Sequence, residues 1–468
     1  MATTIQLSAK ATPGYDHVDG LSDRSAEKVS ELLSANHALY HTRWKATFHN
    51  HMVHHLLSLW ALGASPSEIQ DAWNYNRTYQ TSIEGNGPVS ASSRNLRDPV
   101  TFSKCLGNND CYFDFLKFFE NEVSEKGVPA VIREYLLAGD DRANDILYRI
   151  FSDLLHPMIH LGCALEFDQP SLVAESLAAS CVHETWTSIF LRPTEEYLKA
   201  APEGVPSRPL LEVLEGMRND PVVKSGVKAT DPFNKIAGGL LQRVPTERLV
   251  SHLSALQVRP DAASLERETL TMMYTSAYVV GAAQHPGKIE ALDFVTLHSA
   301  TLAVHYPVLM AQDWLTEHEK ARLLETKLRV DAIMYAGCGS PALHAERVHN
   351  YAPRRPGDSW PELIRRAIVY QDEGHAAKLL RALHATYKLG DPPAGFPIAR
   401  EDLVKIAHMA MDSIEAAFEE GAGPRVPEAV VEDLNQRVGG GAEMVVNNMT
   451  RWVFYGGLEG AWRLVPDL

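Results

Sequence analysis

Apolar residues recur with the spacing of an α-helix along nearly the whole sequence, while alternating strand patterns are almost absent. Ser65-Pro66-Ser67-Glu68 combines an N-cap residue, a proline at the first helical position and a capping glutamate. The sequence therefore predicts an all-α fold. Helix starts are predicted at or just after Asp23, Trp44, Pro66, Pro260, Thr316 and Pro427.

The chain is predicted to form one large helical domain with long loops. Its 468 residues exceed the usual size of a single core, but interleaved helices can build one lobed unit. The second helix is expected from about Trp44 to Leu62. Residues 80–110 and 336–360 are rich in turn-forming residues, which is typical of long loops. We expect a flexible tail over residues 1–22 and a single domain over residues 23–468.

Composition and charge exclude several classes of partner. Hydrophobic residues make up 45% of the chain and charged residues 22%, as in an ordinary globular protein. The formal net charge is −15 and no dense Lys/Arg run is present, which argues against nucleic acid and anionic membranes as partners. The sequence shows no signal peptide and no apolar stretch long enough to span a bilayer. We predict a cytoplasmic protein that acts on a small molecule.

Common cofactor and disulfide patterns are missing from the sequence. The five cysteines show no C-x-x-C spacing, so neither a disulfide framework nor a zinc knuckle is indicated. No G-x-G-x-x-G, Walker or G-x-S-x-G motif is present, which disfavours a Rossmann-bound nucleotide and the common hydrolases and ATPases.

Four segments carry histidines on or beside apolar runs of helical periodicity. A buried imidazole needs a partner, and one shared metal ion would serve several rings. Spacing alone does not decide which of His51, His54 and His55 would bind it, because the three lie on neighbouring turns. The segments read Asn50-His51-Met52-Val53-His54-His55, Leu155-His156-Pro157-Met158-Ile159-His160, Leu297-His298-Ser299-Ala300-Thr301 and Asp372-Glu373-Gly374-His375-Ala376-Ala377-Lys378.

Two of these segments carry local structural signals. Pro157 predicts that a helix starts or kinks beside His156, which aims this ring differently from His160. His375 and Lys378 are three residues apart and project from one side of a helix. A lysine in apolar surroundings shifts toward its neutral amine, which can take up carbon dioxide and become an anionic carbamate ligand. A salt bridge from Lys378 to Asp372 or Glu373, or extension of its ammonium to water, is the open alternative.

Asn50-His51, His156-Pro-Met-Ile-His160-Leu-Gly, His298-Ser-Ala-Thr301 and Asp-Glu-Gly-His375-Ala-Ala-Lys378-Leu resemble the four motifs of the questin oxidase-like family. The resemblance runs from about residue 30 to residue 455. Proteins of this family belong to fungal aromatic polyketide pathways and open anthraquinone rings oxidatively, and some are non-haem iron dioxygenases. The resemblance thus implies an oxidoreductase with a small aromatic polyketide as substrate.

The resemblance also implies a set of site residues. An Fe(II) ion would be held by four imidazoles and one carboxylated lysine, and other histidines would lie behind these ligands or in the substrate pocket. The implied metal ligands are His51, His156, His298, His375 and Lys378. The implied substrate-pocket or supporting residues are His54, His55, His160, His305 and Thr301, of which His55, His160 and Thr301 are predicted to be catalytic.

The implied chemistry is oxidative C–C cleavage with dioxygen as co-substrate. A carbamate lowers the charge of the metal site, and an unligated histidine would remove a phenol proton. The product would be a benzophenone-type carboxylic acid. Alternatives are an NADPH-dependent Baeyer–Villiger-type monooxygenase, a zinc hydrolase with a carbamylated lysine, a ferritin-like di-iron protein and a helical scaffold without activity.

Overall fold

Helices dominate the described part of the chain, which confirms the all-α prediction. The structure is a computed structural model. Among the residues it describes, the only sheet is a two-stranded antiparallel ribbon. Within the same residues, no helix combines the length and apolar composition needed to cross a bilayer. The described residues are 3–45, 48–82, 94–201, 204–420, 422 and 426–468.

The chain divides into two compact units. The first comprises Met1–Ser188, Ala311–Trp314 and Ile368–Lys378, and the remaining residues form the second. A single domain over residues 23–468 stays a prediction.

The first unit contains the ribbon and nine helices that lie wholly within its first segment of described chain. Helix α9 packs against α5, α7 and α8, and helix α2 packs against α1, α3 and α8. The elements are α1 (Asp23–Leu39), β1 (Arg43–Trp44), β2 (Phe48–His49), α2 (Met52–Ala61), α3 (Pro66–Asn76), α4 (Pro99–Cys105), α5 (Tyr112–Lys126), α6 (Val128–Ile132), α7 (Asp141–Ile150), α8 (His156–Glu166) and α9 (Pro170–Val182). Short 3-10 turns cover Asn109–Cys111 and Asp153–Leu155, and a π-helical turn covers Arg133–Leu137.

The second unit is built around two long helices, α15 and α18, which pack on each other. Helix α10 begins at the border of the units, and the chain passes between them within α20 and α21. The helices are α10 (Ser188–Ala200), α11 (Leu210–Asn219), α12 (Pro221–Lys224), α13 (Leu241–Arg243), α14 (Thr246–Leu253), α15 (Ala262–Ala282), α16 (Phe294–Ala303), α17 (Tyr306–Met310), α18 (Glu317–Gly337), α19 (Ala345–His349), α20 (Trp360–Val369), α21 (His375–Lys388), α22 (Asp402–Ala416), α23 (Glu428–Val438) and α24 (Ala442–Arg451). A π-helical turn covers Ile236–Leu240, and a 3-10 turn covers Glu459–Trp462.

The predicted helix starts depend on local caps, and most are confirmed. Ser65 and Glu68 form a complete capping box at α3, and Thr316 forms another at α18. Asp261 caps α15 by accepting the backbone N–H of Ser264.

The prediction of a helix that begins near Trp44 needs correction. Residues 44, 45 and 48–51 are not helical, because β1, β2 and the turn after β2 precede α2. Part of the segment before residue 23 contacts the first unit, because Ile5 and Leu7 are buried and the backbone N–H of Tyr15 donates to Glu166 at 2.7 Å. A flexible tail over residues 1–22 stays a prediction.

The two predicted long loops contain short helices. Residues 83–93 of the first lie outside the described residues, and its remaining part includes α4. The second includes α19. Pro99, at the first position of α4, and the Asp98 side chain, which accepts the N–H of Thr101, explain the helix in the first of these segments.

Candidate metal centre

Asn50 fixes where helix α2 begins and thereby places His51. Its Nδ2 donates to Oδ1 of Asn36 at 2.9 Å and to the carbonyl of His41 at 3.2 Å, and its Oδ1 accepts the N–H of Met52 at 3.0 Å. His51 is consequently the residue before the helix, with φ −86° and ψ 1°. The prediction that His51 lies within the helix is therefore wrong.

A left-handed turn before α8 places His156. Asp153, Leu154 and Leu155 all have positive φ, between 49° and 69°, although none is glycine. Such a conformation costs roughly 1–2 kcal/mol per residue and is retained only where packing enforces it. The turn aims the carbonyl of Asp153 at Nδ1 of His156, which donates a hydrogen bond to it. The predicted helix start beside Pro157 is confirmed.

The chain just before α21 places His375. Asp372 accepts the N–H groups of Gly374 at 2.6 Å and Ala376 at 2.9 Å, so its side chain caps the helix. Gly374 has φ +95°, and a Cβ there would lie 2.5 Å from Cγ of His55. Only glycine fits this position, which brings the first turn of α21 close to α2.

His51, His156 and His375 form a buried cluster, here called the first histidine group. Their potential ligand atoms all lie within 4.8 Å of one another. The Nε2 atoms of His51 and His156 are 2.7 Å apart. Three predicted ligands from distant parts of the sequence are thus brought together.

The hydrogen-bond partners of this group leave a conflict that a cation would remove. Nδ1 of His156 carries a proton because it donates to a carbonyl, so Nε2 of its neutral ring bears a lone pair. For His51 to donate to that lone pair, its own Nδ1 would have to be unprotonated. That atom, however, lies 3.2 Å from Oε2 of Glu373, where a proton is favoured. Two lone pairs facing each other suit a shared metal ion.

Glu373 lies between two members of the first histidine group. Its Oε2 is 3.2 Å from Nδ1 of His51, and its Oε1 is 3.1 Å from Nδ1 of His375. These are ion-pair distances, although the ring N–H bonds are not well aligned on the carboxylate. A carboxylate behind metal-binding imidazoles orients the rings and makes them better ligands.

Lys378 is buried beside the first histidine group, and its ammonium has no hydrogen-bond partner among the described residues. Burial lowers its pKa to about 8, and the nearby charges of Glu373 and Asp372 only partly oppose that shift. Burial, followed by the charge of Lys378, lowers the pKa of His51 well below its ordinary value. The arrangement favours neutral donors, which is the state a metal requires.

His49, His54 and His160 form a second buried cluster, here called the second histidine group. Their potential ligand atoms also lie within 4.8 Å of one another. The rings of His49 and His156 stack with centroids 4.8 Å apart, so the two groups are adjacent within the first unit. Burial and the neighbouring His156 lower the pKa of His49 well below its ordinary value.

A series of histidine–carboxylate contacts connects His160 to Glu120. Its Nε2 lies 3.0 Å from Oε2 of Glu175, whose Oε1 lies 2.5 Å from Nδ1 of His37. Nε2 of His37 lies 2.9 Å from Oε1 of Glu120. Burial alone would lower the pKa of His37, but hydrogen bonds to Glu120 and Glu175 outweigh it and raise that pKa to about 10. His37 is thus a charged link between two carboxylates.

His55 takes part in neither group. Its Nδ1 lies 3.2 Å from Nδ2 of Asn76, whose orientation is fixed because its Oδ1 accepts the hydroxyl of Tyr79. The ring nitrogen Nδ1 is therefore an acceptor and Nε2 carries the proton. Burial lowers the pKa of His55 to about 4.

The remaining predicted site residues lie in the second unit. His298 is fully buried in α16, and its Nδ1 donates to the carbonyl of Phe294 at 2.7 Å, so the proton of the neutral ring is on Nδ1. Thr301 donates to the carbonyl of His298 at 3.1 Å, and His305 is buried just after the helix. A fourth imidazole ligand from His298 and catalytic roles for His55, His160 and Thr301 stay predictions.

Sequence reasoning gave no role to several residues of this centre. A helix predicted across this segment hides the role of His49, because the residue lies on the extended strand β2. Glu175 had a visible signal, as the only charged residue in Pro170–Val182, a helix buried on nearly every side. Asp153, whose Oδ2 lies 3.6 Å from Nε2 of His183, had no such signal, because the left-handed turn that places it is not encoded by a glycine.

Sequence comparisons show the family to which this chain belongs. The questin oxidase-like family profile matches residues 48–383, and this chain belongs to that family. Oxidoreductase AflY of Aspergillus parasiticus is 44% identical over 99% of this chain and 94% of its own. Questin oxidase of Aspergillus fumigatus is 32% identical over the full length of both. Baeyer-Villiger monooxygenase dmxR6 of a Cryptosporiopsis species is 33% identical over 86% of this chain and 91% of its own.

The names of these relatives all describe oxidation. Family membership and near-complete coverage at these identities make this chain an oxidoreductase.

Proposed function

We propose that this chain opens a ring of an anthraquinone-type aromatic polyketide by oxidative C–C cleavage in secondary metabolism. Relatives named questin oxidase support the substrate class. The observation that carries the proposal is the first histidine group, in which two imidazole Nε2 atoms face each other at 2.7 Å beside a buried lysine. Such a group provides a place for a redox-active metal in a chain without a dinucleotide fingerprint.

The donor set fits iron. Three imidazoles with ligand atoms within 4.8 Å of one another suit Fe, Cu or Zn, and one anionic oxygen from a carboxylated Lys378 favours iron among these. His51, His156, His375 and Lys378 would hold the ion. Bound Fe(II) would supply the binding and activation of dioxygen, the co-substrate.

Lys378 is suited to carboxylation. With a pKa of about 8, a substantial fraction of its amine is neutral near pH 7.5, unlike an ordinary surface lysine. The neutral nitrogen attacks carbon dioxide, forms an N–C bond and releases one proton, which leaves a carbamate. The carbamate replaces a buried cation by an anion, and a metal ion would compensate that charge.

The protein groups around the ligands hold protons in defined places. The Asp153 carbonyl keeps the proton of His156 on Nδ1, and Glu373 favours the same tautomer in His51 and His375. His55 is neutral at pH 7 and carries its proton on Nε2, so it is suited to donate to a substrate oxygen. The hydrogen bond to Nδ1 and the low pKa support a role for His55 as a hydrogen-bond donor rather than as the base that removes a phenol proton.

A second candidate is Baeyer–Villiger-type monooxygenation, which the names of several relatives favour. In that reaction one oxygen atom enters the substrate beside a carbonyl carbon. The other oxygen atom leaves as water, and NADPH provides the two electrons. The two candidates differ in electron source and in the number of oxygen atoms incorporated.

The test is turnover of questin and of its chemically reduced hydroquinone under ¹⁸O₂, with and without NADPH, by protein reconstituted anaerobically with Fe(II). The dioxygenase proposal expects turnover of the hydroquinone without NADPH, iron dependence and two labelled atoms in the ring-opened acid. Chelator-treated protein that regains activity with Fe(II) but not with Zn(II) is the matched control. The monooxygenase would be established instead if one labelled atom is incorporated, the reduced substrate still requires NADPH, and iron does not change turnover.

A further inference from the structure

We infer that the second histidine group, His49, His54 and His160, binds a metal ion of its own, a divalent first-row transition metal such as Zn²⁺ or Fe²⁺. The three rings come from β2, α2 and α8, and each residue is at most 3% exposed. Their potential ligand atoms lie within 4.8 Å of one another, as close as those of the first histidine group. The two groups share no residue.

Unsatisfied ring nitrogens point to a ligand at this place. Neither nitrogen of His49 has a hydrogen-bond partner among the described residues, and the same holds for Nδ1 of His160. A neutral imidazole always has one donor and one acceptor, and buried polar atoms are rarely left without partners. Three imidazoles around one ion are a common donor set for zinc and iron.

A carboxylate stands behind one of the proposed ligands. Nε2 of His160 lies 3.0 Å from Oε2 of Glu175, which leaves Nδ1 as the nitrogen free to coordinate. Glu175 is itself held by His37 at 2.5 Å. A carboxylate, an imidazole and a metal in this order form a recurrent unit of metal sites.

Negative charge is also available on the other side of the group. Oδ2 of Asp153 lies 3.8 Å from Nδ1 of His49 and 3.6 Å from Nε2 of His183, and it has no hydrogen-bond partner in the described part of the chain. This oxygen is buried although the Asp153 side chain is 19% exposed, and a buried carboxylate oxygen without a partner is costly unless a cation lies nearby. The strained turn at residues 153–155 holds it there.

Each group has its own glutamate, which argues for two ions rather than one: Glu373 lies against the first histidine group and Glu175 against the second. Asp153 lies between the groups, because its carbonyl accepts the Nδ1–H of His156 and its Oδ2 lies 3.8 Å from Nδ1 of His49. The inference goes beyond the proposed reaction and does not depend on it, because metal stoichiometry is measured without substrate or dioxygen.

The test is native mass spectrometry of the full-length apoprotein titrated anaerobically with Zn(II) alone. The wild type is expected to bind two ions. His49→Gln and His160→Asn are each expected to bind one, and His375→Gln is expected to bind one as well. His252→Gln changes a histidine of neither group and is expected to retain both ions.

Saturation of the wild type at one ion overturns the inference without any variant. Loss of all metal from a folded His160→Asn protein also overturns it, because that result means a single shared site. Circular dichroism establishes that each variant is folded. If a variant does not fold, the number of ions bound by the wild type alone tests the inference. A failed ring-cleavage assay with two bound ions would reject the proposed reaction and leave this inference standing.

Discussion

Lys378 in the first unit and Lys327 in the second are both buried, yet their ammonium groups have different surroundings. Nζ of Lys327 lies 2.5 Å from Oδ2 of Asp331 and 3.1 Å from Oγ of Ser299. Nζ of Lys378 has no hydrogen-bond partner among the described residues and lies beside the first histidine group. Burial lowers the pKa of both, but only Lys327 has a hydrogen-bonded carboxylate that opposes the shift.

The difference separates a structural lysine from one available for chemistry. A buried ammonium with a hydrogen-bonded carboxylate is part of the core, and removing it leaves the carboxylate unpaired. A buried amine without such a partner is destabilised in its charged form and is open to carboxylation or metal binding. Substitutions at the two lysines and at the first histidine group test this difference.

The largest effect is expected from removing a ligand of the first histidine group. His375→Ala should lower turnover by about a thousandfold or more, because a metal ion supplies several kcal/mol of stabilisation to such a reaction. Steady-state turnover and iron content of the purified variant measure this. Turnover within tenfold of the wild type at normal protein stability would contradict the assignment.

The same substitution at the two lysines should change different properties, turnover at Lys378 and stability at Lys327. Lys378→Met is expected to lose about a hundredfold in turnover while remaining folded, because it removes an anionic ligand and not a hydrogen-bonded partner. Lys327→Met is expected to lose roughly 3–5 kcal/mol of stability, because Asp331 then stays buried without its partner. Turnover and chemical denaturation of both variants give the comparison. Equal loss of stability in the two variants would show that the two lysines do not differ in their structural role.

Glu373→Gln tests the carboxylate that lies between His51 and His375. The substitution keeps the shape of the side chain but removes its charge, so iron affinity is expected to fall by about 10- to 100-fold. Competition with a calibrated chelator measures the affinity. Unchanged affinity would mean that Glu373 does not orient the imidazoles.

The smallest effect is a pH dependence of stability. In metal-free, carbon dioxide-free protein the folded-state pKa of Lys378 is about 8, below the ordinary lysine value, so the unfolded state binds more protons between these two values. The Lys378 contribution to the free energy of unfolding should therefore rise as the pH increases from about 8 toward about 10. Below pH 8 the full cost of burying the ammonium is present.

Denaturation curves at several pH values, compared between the wild type and Lys378→Met, isolate that contribution. The difference in the free energy of unfolding should grow in favour of the wild type across this interval. A difference that does not vary with pH would show that Lys378 has an ordinary pKa in the folded protein.

Features set by neighbouring residues could be predicted from the sequence, and features set by distant contacts could not. The capping box at Ser65 and the helix start beside Pro157 depend on local backbone chemistry, and both are confirmed. The start of α2 depends on hydrogen bonds from Asn50 to Asn36 and His41, which no local pattern reveals.

The candidate site was predicted in part for the same reason. His51, His156 and His375 were identified through family motifs rather than spacing, and the structure brings them together. Glu373 was considered only as a partner of Lys378, whereas its carboxylate lies against two imidazoles. The second histidine group depends on β2 and on a left-handed turn without glycine, so its assembly is a property of the tertiary structure.

Diffraction at the iron K edge from crystals of the iron-loaded protein grown with bicarbonate tests the iron assignment most directly. We expect an anomalous peak bonded to His51, His156 and His375, with an oxygen of a carboxylated Lys378 as a further ligand. An unmodified Lys378 and no anomalous peak at this group would contradict it.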